Sequence, residues 1–357
     1  MKTTPPAPRL LTTFWLRTLF CLMLLATIFS RPASAQTTKR GMMISGTPDA
    51  QSIIALRQLG ANLARWQFTI PDAGAADSMT LGQYQQWINT QIARVDELLP
   101  VFSQNGIGVV LDLHTPPGGF STRSGLPVHR LFHSTWAETC FVDVWRVLAR
   151  RYKGNPAVWG FDILNEPATG GDLYAAKWRT LAARTAQAVE AIDSARRIIV
   201  ESPYGDPRRF GQLQKIAVRN AIYSFHMYAP LQFTHQGVDR FPLGLSYPGV
   251  IAGRQWDAAT IAAWLQPVVN WQKANNARIY AGEFSAVCYA SGNSSYRYLS
   301  DVISFFEKQG WNWTYHAFRE WSGWSVEHTG TGPNAIVPAT APTDRQLLLR
   351  SWFARNP

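Results

Sequence analysis

The sequence predicts a (β/α)8 TIM barrel folded as a single domain, and three observations lead there. Eight β-type runs alternate with helix-type runs, which implies parallel strands joined by right-handed crossovers. The chain has 357 residues, 46% hydrophobic and 16% charged, so it is too apolar for a disordered or collagen-like polypeptide. That length suffices for a barrel, which needs about 250 residues. After Gln36 no linker, internal repeat or low-complexity segment interrupts the alternation.

The N-terminal segment stands apart. A basic stretch ends at Arg17, an apolar run follows from Thr18 to Ile28, Arg31-Pro32 breaks it, and Ala33-Ser34-Ala35 forms a small-residue cleavage signature. The run falls short of the ~20 apolar residues that span a bilayer. Residues 1–35 therefore read as a bacterial signal peptide cut after Ala35, and residues 36–357 as the barrel. The mature chain is expected to be secreted or periplasmic, with no membrane anchor after cleavage. Only Cys140 and Cys288 remain in it, and export permits a disulfide that two cysteines alone do not establish.

The barrel elements follow in order. Strand one is Arg40 to Ser45, with a helix at Ala50 to Leu59. Strand two, Asn62 to Phe68, leads to a long helix from Leu81 to Gln104. Strand three, Gly108 to His114, precedes the helix Thr135 to Tyr152, and strand four, Ala157 to Asn165, precedes Leu173 to Ile192. Strand five, Arg197 to Glu201, is followed by a short helical pattern near Phe210 to Ile216. After strand six, Ile222 to Tyr228, the connection from Ala229 to Trp256 is rich in Pro, Gly and aromatics. It exceeds ordinary loop lengths and is expected to wall a cleft. The helix Ala258 to Ala274, strand seven at Ala277 to Glu283, the helix Ser294 to Lys308, strand eight at Trp311 to Phe318 and a last helix, Asp344 to Ala354, complete the set.

Charge and aromatic content narrow the function. The formal charge is +11, from 34 basic and 23 acidic residues, but no run of Lys and Arg exceeds two, so a solvated basic surface is favoured over a polyanion site. No nucleic-acid partner is expected. Fifteen Trp, 12 Tyr and 18 Phe exceed what a core needs and point to flat apolar ligands such as sugar rings.

Barrel active sites lie at the C-terminal ends of the strands, so polar residues that end apolar runs are the ones to read. Arg65 falls late in strand two (NLARWQF), His114 ends strand three (GVVLDLH), and Asn165 and Glu166 end strand four (VWGFDILNEP). Glu201 ends strand five (RIIVES), His226 and Tyr228 end strand six (IYSFHMYAP), and Glu283 ends strand seven (RIYAGEF). Any one of these could be a satisfied structural group. Burial alone gives no reason to end strand after strand of Val, Ile and Leu with a charge.

Arg65, the LDLH ending in His114, the NEP of Asn165-Glu166-Pro167, the HMY of His226 and Tyr228, and the GEF containing Glu283 resemble glycoside hydrolase family 5, the cellulase family of retaining barrel glycosidases. The resemblance spans roughly Lys39 to Phe353. It implies that Glu166 is the general acid/base and Glu283 the nucleophile. A physical argument runs beside it. Retention needs a carboxyl that protonates the leaving oxygen and an ionised carboxylate about 5 Å away. Strands four and seven face each other across an eight-stranded barrel, so their terminal carboxylates can flank a sugar. Arg65 would keep Glu283 ionised, Tyr228 could donate to it, and Asn165 could bond a 2-hydroxyl. His114 and His226 would bind sugar hydroxyls or orient a carboxylate.

The expected substrate-binding set is thus Arg65, His114, Asn165, His226, Tyr228, His316 and Trp321. His316 enters because family members usually carry a Trp at the end of strand eight as a sugar floor, where this chain has His316, with Trp321 and Trp324 just beyond. Either His316 forms the floor or a neighbouring Trp supplies it. Glu201 is a substrate contact, a third carboxylate near the acid/base, or a salt-bridged structural group. No cofactor and no metal are expected, since close His-x-His or paired His/Asp ligands are not visible. The expected partner is a polysaccharide or oligosaccharide acted on by a monomer. A β-1,4-endoglucanase is the first choice, with mannanase, xylanase, exo-acting β-glucosidase or a non-catalytic polysaccharide-binding barrel as alternatives.

Overall fold

Eight parallel strands close into a barrel in the computed structural model, which describes residues 1–4, 38–44 and 46–357. They are β1 (Arg40–Ile44), β2 (Leu63–Gln67), β3 (Gly108–Asp112), β4 (Val158–Asp162), β5 (Arg197–Glu201), β6 (Ala221–Met227), β7 (Arg278–Phe284) and β8 (Asn312–Tyr315). Each pairs in parallel with its sequence neighbours, and β8 closes on β1. Between and after them run α1 (Ala50–Leu59), α2 (Leu81–Gln104), α3 (Thr135–Arg151), α4 (Ala175–Glu190), α5 (Ala258–Asn275), α6 (Ser294–Gln309) and α7 (Asp344–Phe353). Thr38–Pro357 form one compact unit. The cleavage site at Ala35 and the apolar run before it lie outside the described residues. No helix among the described residues is long and apolar enough to cross a membrane.

Side-chain caps explain where several helices begin. Asp49, Asp257 and Thr343 each accept from a backbone N–H in the first turn of α1, α5 and α7, and Thr80 and Gln83 form a reciprocal capping box on α2. The expected helix at Phe210 to Ile216 is instead a 3₁₀ helix over Pro207–Gln212. Asp206 caps it through the Arg208 N–H, Pro207 occupies its first turn, and Leu213 is already extended. Three hairpins appear that the strand pattern did not show: Phe120–Arg123 with Leu126–His129, Gly249–Ile251 with Arg254–Trp256, and His328–Gly330 with Ile336–Pro338. Each follows a barrel strand and so adds to the rim at the C-terminal face. Cys140 is buried, Cys288 is half-buried, and neither is bridged.

Alternation along the strands builds the barrel interior in layers. Leu63, Val110, Trp159, Ile199, Ile222 and Tyr280 pack together as an apolar plug inside it. Two residues further along four of these strands stand Arg65, Asp112, Glu201 and Ser224, all fully buried. An apolar layer therefore carries a charged layer, and the strand ends above that layer open to the rim.

Candidate active site

Arg65 is the hub of the charged layer. Its Nε donates to Asp162 at 2.9 Å, Nη1 to Glu283 at 2.7 Å, and Nη2 to Glu201 at 2.9 Å and to the Asn165 amide oxygen at 3.0 Å. Asp112 lies 3.1 Å from the same Nη2. One guanidinium thus faces four carboxylates with no exposure to solvent. Burial pushes Asp162 well above the usual carboxylate range, and Glu201 raises it further, because a single cation cannot hold four neighbouring anions. Arg65, expected among the substrate-binding residues, is fully buried, with its guanidinium occupied by these partners.

Two linked branches rise from this hub. In the first, the His114 Nδ1 bonds Asp112 at 2.9 Å and its Nε2 meets the Asn165 amide nitrogen at 3.3 Å. Asp112 thereby fixes the ring orientation, as carboxylate partners of histidines do. The His114 side chain remains 24% exposed, so it can reach a ligand directly.

In the second branch, the His226 ring lies between carboxylates, its Nδ1 at 2.7 Å from Glu166 and its Nε2 at 3.1 Å from Glu201. Burial would lower the imidazole, but Glu201, Glu283 and Glu166 together hold it well above the ordinary histidine range. Two glycines make room for the ring. A Cβ on Gly282 would stand 3.0 Å from His226 Nε2, and one on Gly205, whose φ of +63° already disfavours a side chain, 3.0 Å from Cγ and Nδ1. His226, expected in the substrate-binding set, lines the cleft with a side chain only 2% exposed, and its ring holds Glu166 in place.

Glu201 is fully buried and accepts from the Glu166 backbone N–H at 2.8 Å. It is thus both ion-paired with Arg65 and a third carboxylate beside Glu166. It anchors a backbone in an unusual conformation, since Glu166 has φ +41° in the left-handed region. Such a conformation costs on the order of 1 kcal/mol and persists where its surroundings over-determine it. The Glu166 side chain is 41% exposed and projects into the cleft.

Glu283 sits where the β6–β7 register shifts between Ala281 and Glu283, an irregularity that sets it opposite His226. Its Oε2 accepts from the Tyr228 hydroxyl at 2.8 Å and from His316 Nδ1 at 3.1 Å. The Tyr228 hydroxyl also contacts the His316 ring. Burial alone would raise Glu283, but His226, His316 and Arg65 more than offset it and hold the carboxylate well below its usual range. One oxygen of Glu166 and one of Glu283 lie within 4.8 Å of each other. An approach of that size is compatible with the ~5 Å carboxyl spacing of retaining glycosidases.

At the end of strand eight His316 and a neighbouring Trp lie together. His316 is buried and hydrogen-bonded to Glu283 and, through Nε2 at 3.1 Å, to Glu320, so its edge is spent on carboxylates. Trp324 lies against it at 4.9 Å and stacks on Tyr228 at 5.7 Å. Trp321 stands one ring further out, edge-on to Trp324, with Gly323 against it. The indole in contact with Tyr228 and His316 is Trp324, and Trp321 packs on it.

His316 yields a pH prediction. Burial opposes its charge, yet Glu283 and Glu320 raise it to about 9. Its folded value lies above the ordinary ~6.5, so its stabilising contribution is complete below about pH 6.5 and lost as pH rises through about 9. Turnover of an aryl glycoside should fall with deprotonation near pH 9, and His316→Gln should be slower with that limb removed. An unchanged basic limb in the variant would assign the titration to another group.

Glu166, His226 and Glu283 also satisfy the spacing of a metal site. Their donors do not suit one, because both His226 nitrogens are engaged by carboxylates and Glu283 is held by Arg65, Tyr228 and His316. An imidazole charged on both nitrogens has no lone pair to offer. Sequence reading passed over Asp112, Asp162, Gly205, Gly282 and Glu320. A signal for the two aspartates was present: each is an isolated acid inside an apolar strand, VVLDLH and GFDIL.

A family description, "Cellulase (glycosyl hydrolase family 5)", matches residues 32–322. Endoglucanase C of Acetivibrio thermocellus is 24% identical over 288 residues, which cover 72% of this chain and 80% of that protein. Cellodextrinase A of Ruminococcus flavefaciens is 24% identical over 271 residues, covering 74% and 76%. A solved glycoside hydrolase superposes with a TM-score of 0.70 at 22% identity, covering 90% of this chain and 100% of its own, and shares the fold.

Proposed function

Because the chain belongs to glycosyl hydrolase family 5, the cellulase family, we propose that it cleaves β-1,4-glucan internally by a retaining double displacement. The observation that carries the mechanism is the pair of carboxylates within 4.8 Å, one half-exposed and one buried among cations. In the first step a Glu283 oxygen attacks the anomeric carbon while Glu166 delivers its proton to the departing glycosidic oxygen. In the second, Glu166 takes a proton from water, which attacks the same carbon and releases Glu283. The Tyr228 hydroxyl and His316 hold Glu283 in line, and Arg65 keeps it anionic. Endo action is supported by a cleft of about 670 Å³ that runs from Glu166 along the loops after β5 and β6. The names of the related endoglucanase and cellodextrinase favour glucan over mannan or xylan.

The test is NMR on the first product from a soluble β-1,4-glucan, run beside mannan and xylan. Retention of the β-anomer with mixed oligosaccharide lengths is expected. Inverted product would remove the double displacement, and release of one sugar at a time would replace endo action by exo action.

A further inference from the structure

The cleft beside Glu166 has a wall that the proposed reaction does not use. Arg208, Arg240 and Arg254 line it, from the loops after β5 and β6. Against these three guanidinium groups stand two carboxylates, Glu166 and Asp206, and Asp206 is bound to Arg208 through Nε at 3.1 Å and Nη2 at 2.7 Å. Among the described residues Arg240 and Arg254 have no ion-pair partner, and both are exposed.

The two indoles in this wall are covered by cations. Arg208 lies 4.4 Å from the Trp264 ring centroid, and Arg254 lies 5.5 Å from the same ring and 5.3 Å from that of Trp256. An indole face occupied by a guanidinium is not open to a sugar ring. A guanidinium held over a ring has lost part of its side-chain freedom already and keeps N–H donors for a ligand. A subsite built for neutral sugar would leave the indoles bare. This one offers planar donor forks, the arrangement that matches carboxylate or phosphate oxygens.

We infer that this wall is a leaving-group-side subsite for a sugar bearing an anionic substituent, so that the substrate is a β-1,4-glucan carrying acidic groups. The inference rests on the proposed glycosidase reading for its placement: Glu166, the proton donor to the departing sugar, opens into the same cleft, which Glu283 does not line. Arg254, pre-set on the indoles, and Arg240 at the rim supply the charge that Asp206 does not neutralise.

The experiment separates the inference from the reaction by measuring binding without turnover. Calorimetry on the wild-type protein uses three sulfur-linked, non-hydrolysable β-1,4-gluco-oligosaccharides: neutral, with a C6 carboxylate on the reducing-end sugar, or with a C6 phosphate ester there. A charge-assisted contact of this kind is worth roughly tenfold in affinity. At least one anionic form should therefore bind about tenfold more tightly than the neutral one, and whichever binds better identifies the substituent. Added salt should erode the advantage, and Arg254→Gln and Arg240→Gln should each cut the ratio of anionic to neutral affinity severalfold while thermal unfolding stays put. Equal or weaker binding of both anionic forms, or an advantage unchanged in the double variant, overturns the inference. Failure of the wild type to cleave the oxygen-linked neutral and anionic parents would overturn the hydrolase reading instead, and leaves the binding comparison to decide the subsite.

Discussion

Glu283→Gln is expected to reduce turnover of every glycoside by at least ~10⁴-fold, whatever the leaving group, because no other group in the site can form the glycosyl intermediate. Glu166→Ala should behave differently. A dinitrophenyl leaving group needs no proton, so formation of the intermediate from such a substrate should be nearly intact, while cleavage of an unactivated glucan falls by ~10²–10⁴-fold. Its second step loses the base and becomes slow, so azide, which needs no deprotonation, should restore turnover and yield a β-glycosyl azide. The geometry behind this division is asymmetric: Glu283 is held by Arg65, Tyr228 and His316, whereas Glu166 is half-exposed with one side-chain contact to His226. Equal losses in both variants on the activated substrate, or azide rescue in Glu283→Gln rather than Glu166→Ala, would reverse the assignment. Because Glu283→Gln also removes a counter-ion from three cationic groups, thermal unfolding of the variant must accompany the kinetics.

Most of the scaffold was legible because its signals are local. Period-two runs and capped helices end where caps and glycines put them: α1 and α2 match the expected bounds, and β5 starts and stops as read. The strand-end rule also brought Arg65, His114, Asn165, Glu166, His226, Tyr228 and Glu283 into one connected set. What the sequence could not supply was depth. Arg65 and His226 are polar residues at strand ends like His114, but alternation and two glycines place them below the surface. The rim hairpins escaped because three- and four-residue strands carry no usable periodicity. The basic charge was visible as a total and was read as solvated surface. Its local meaning depends on Arg208, Arg240 and Arg254, 46 positions apart at the extremes, meeting in one cleft.

The layering of the barrel makes Arg65 the residue on which stability depends most. Arg65→Met keeps much of the side-chain volume but leaves Asp112, Asp162, Glu201 and Glu283 around an apolar atom, with His226 and His316 as the remaining cations near them. Removing one member of a buried ion-paired set costs roughly 3–5 kcal/mol, because the partners stay desolvated and unpaired. Denaturant unfolding at pH 7 should show a loss of about that size. Its pH dependence identifies the cause. Glu283 and Glu201 are held below their usual range in the native protein, a contribution present above the ordinary carboxylate range and lost as pH falls below that range through their lower native values. Without Arg65 the folded state binds protons more readily, so the deficit between variant and wild type should be full at pH 7 and shrink as pH falls toward about 4. A cavity would cost the same at both pH values. Arg65→Lys keeps the charge without the fork and should fall between the two. Wild-type stability of Arg65→Met at pH 7, or a deficit independent of pH, would mean that the charged layer is held together by its histidines and by packing instead.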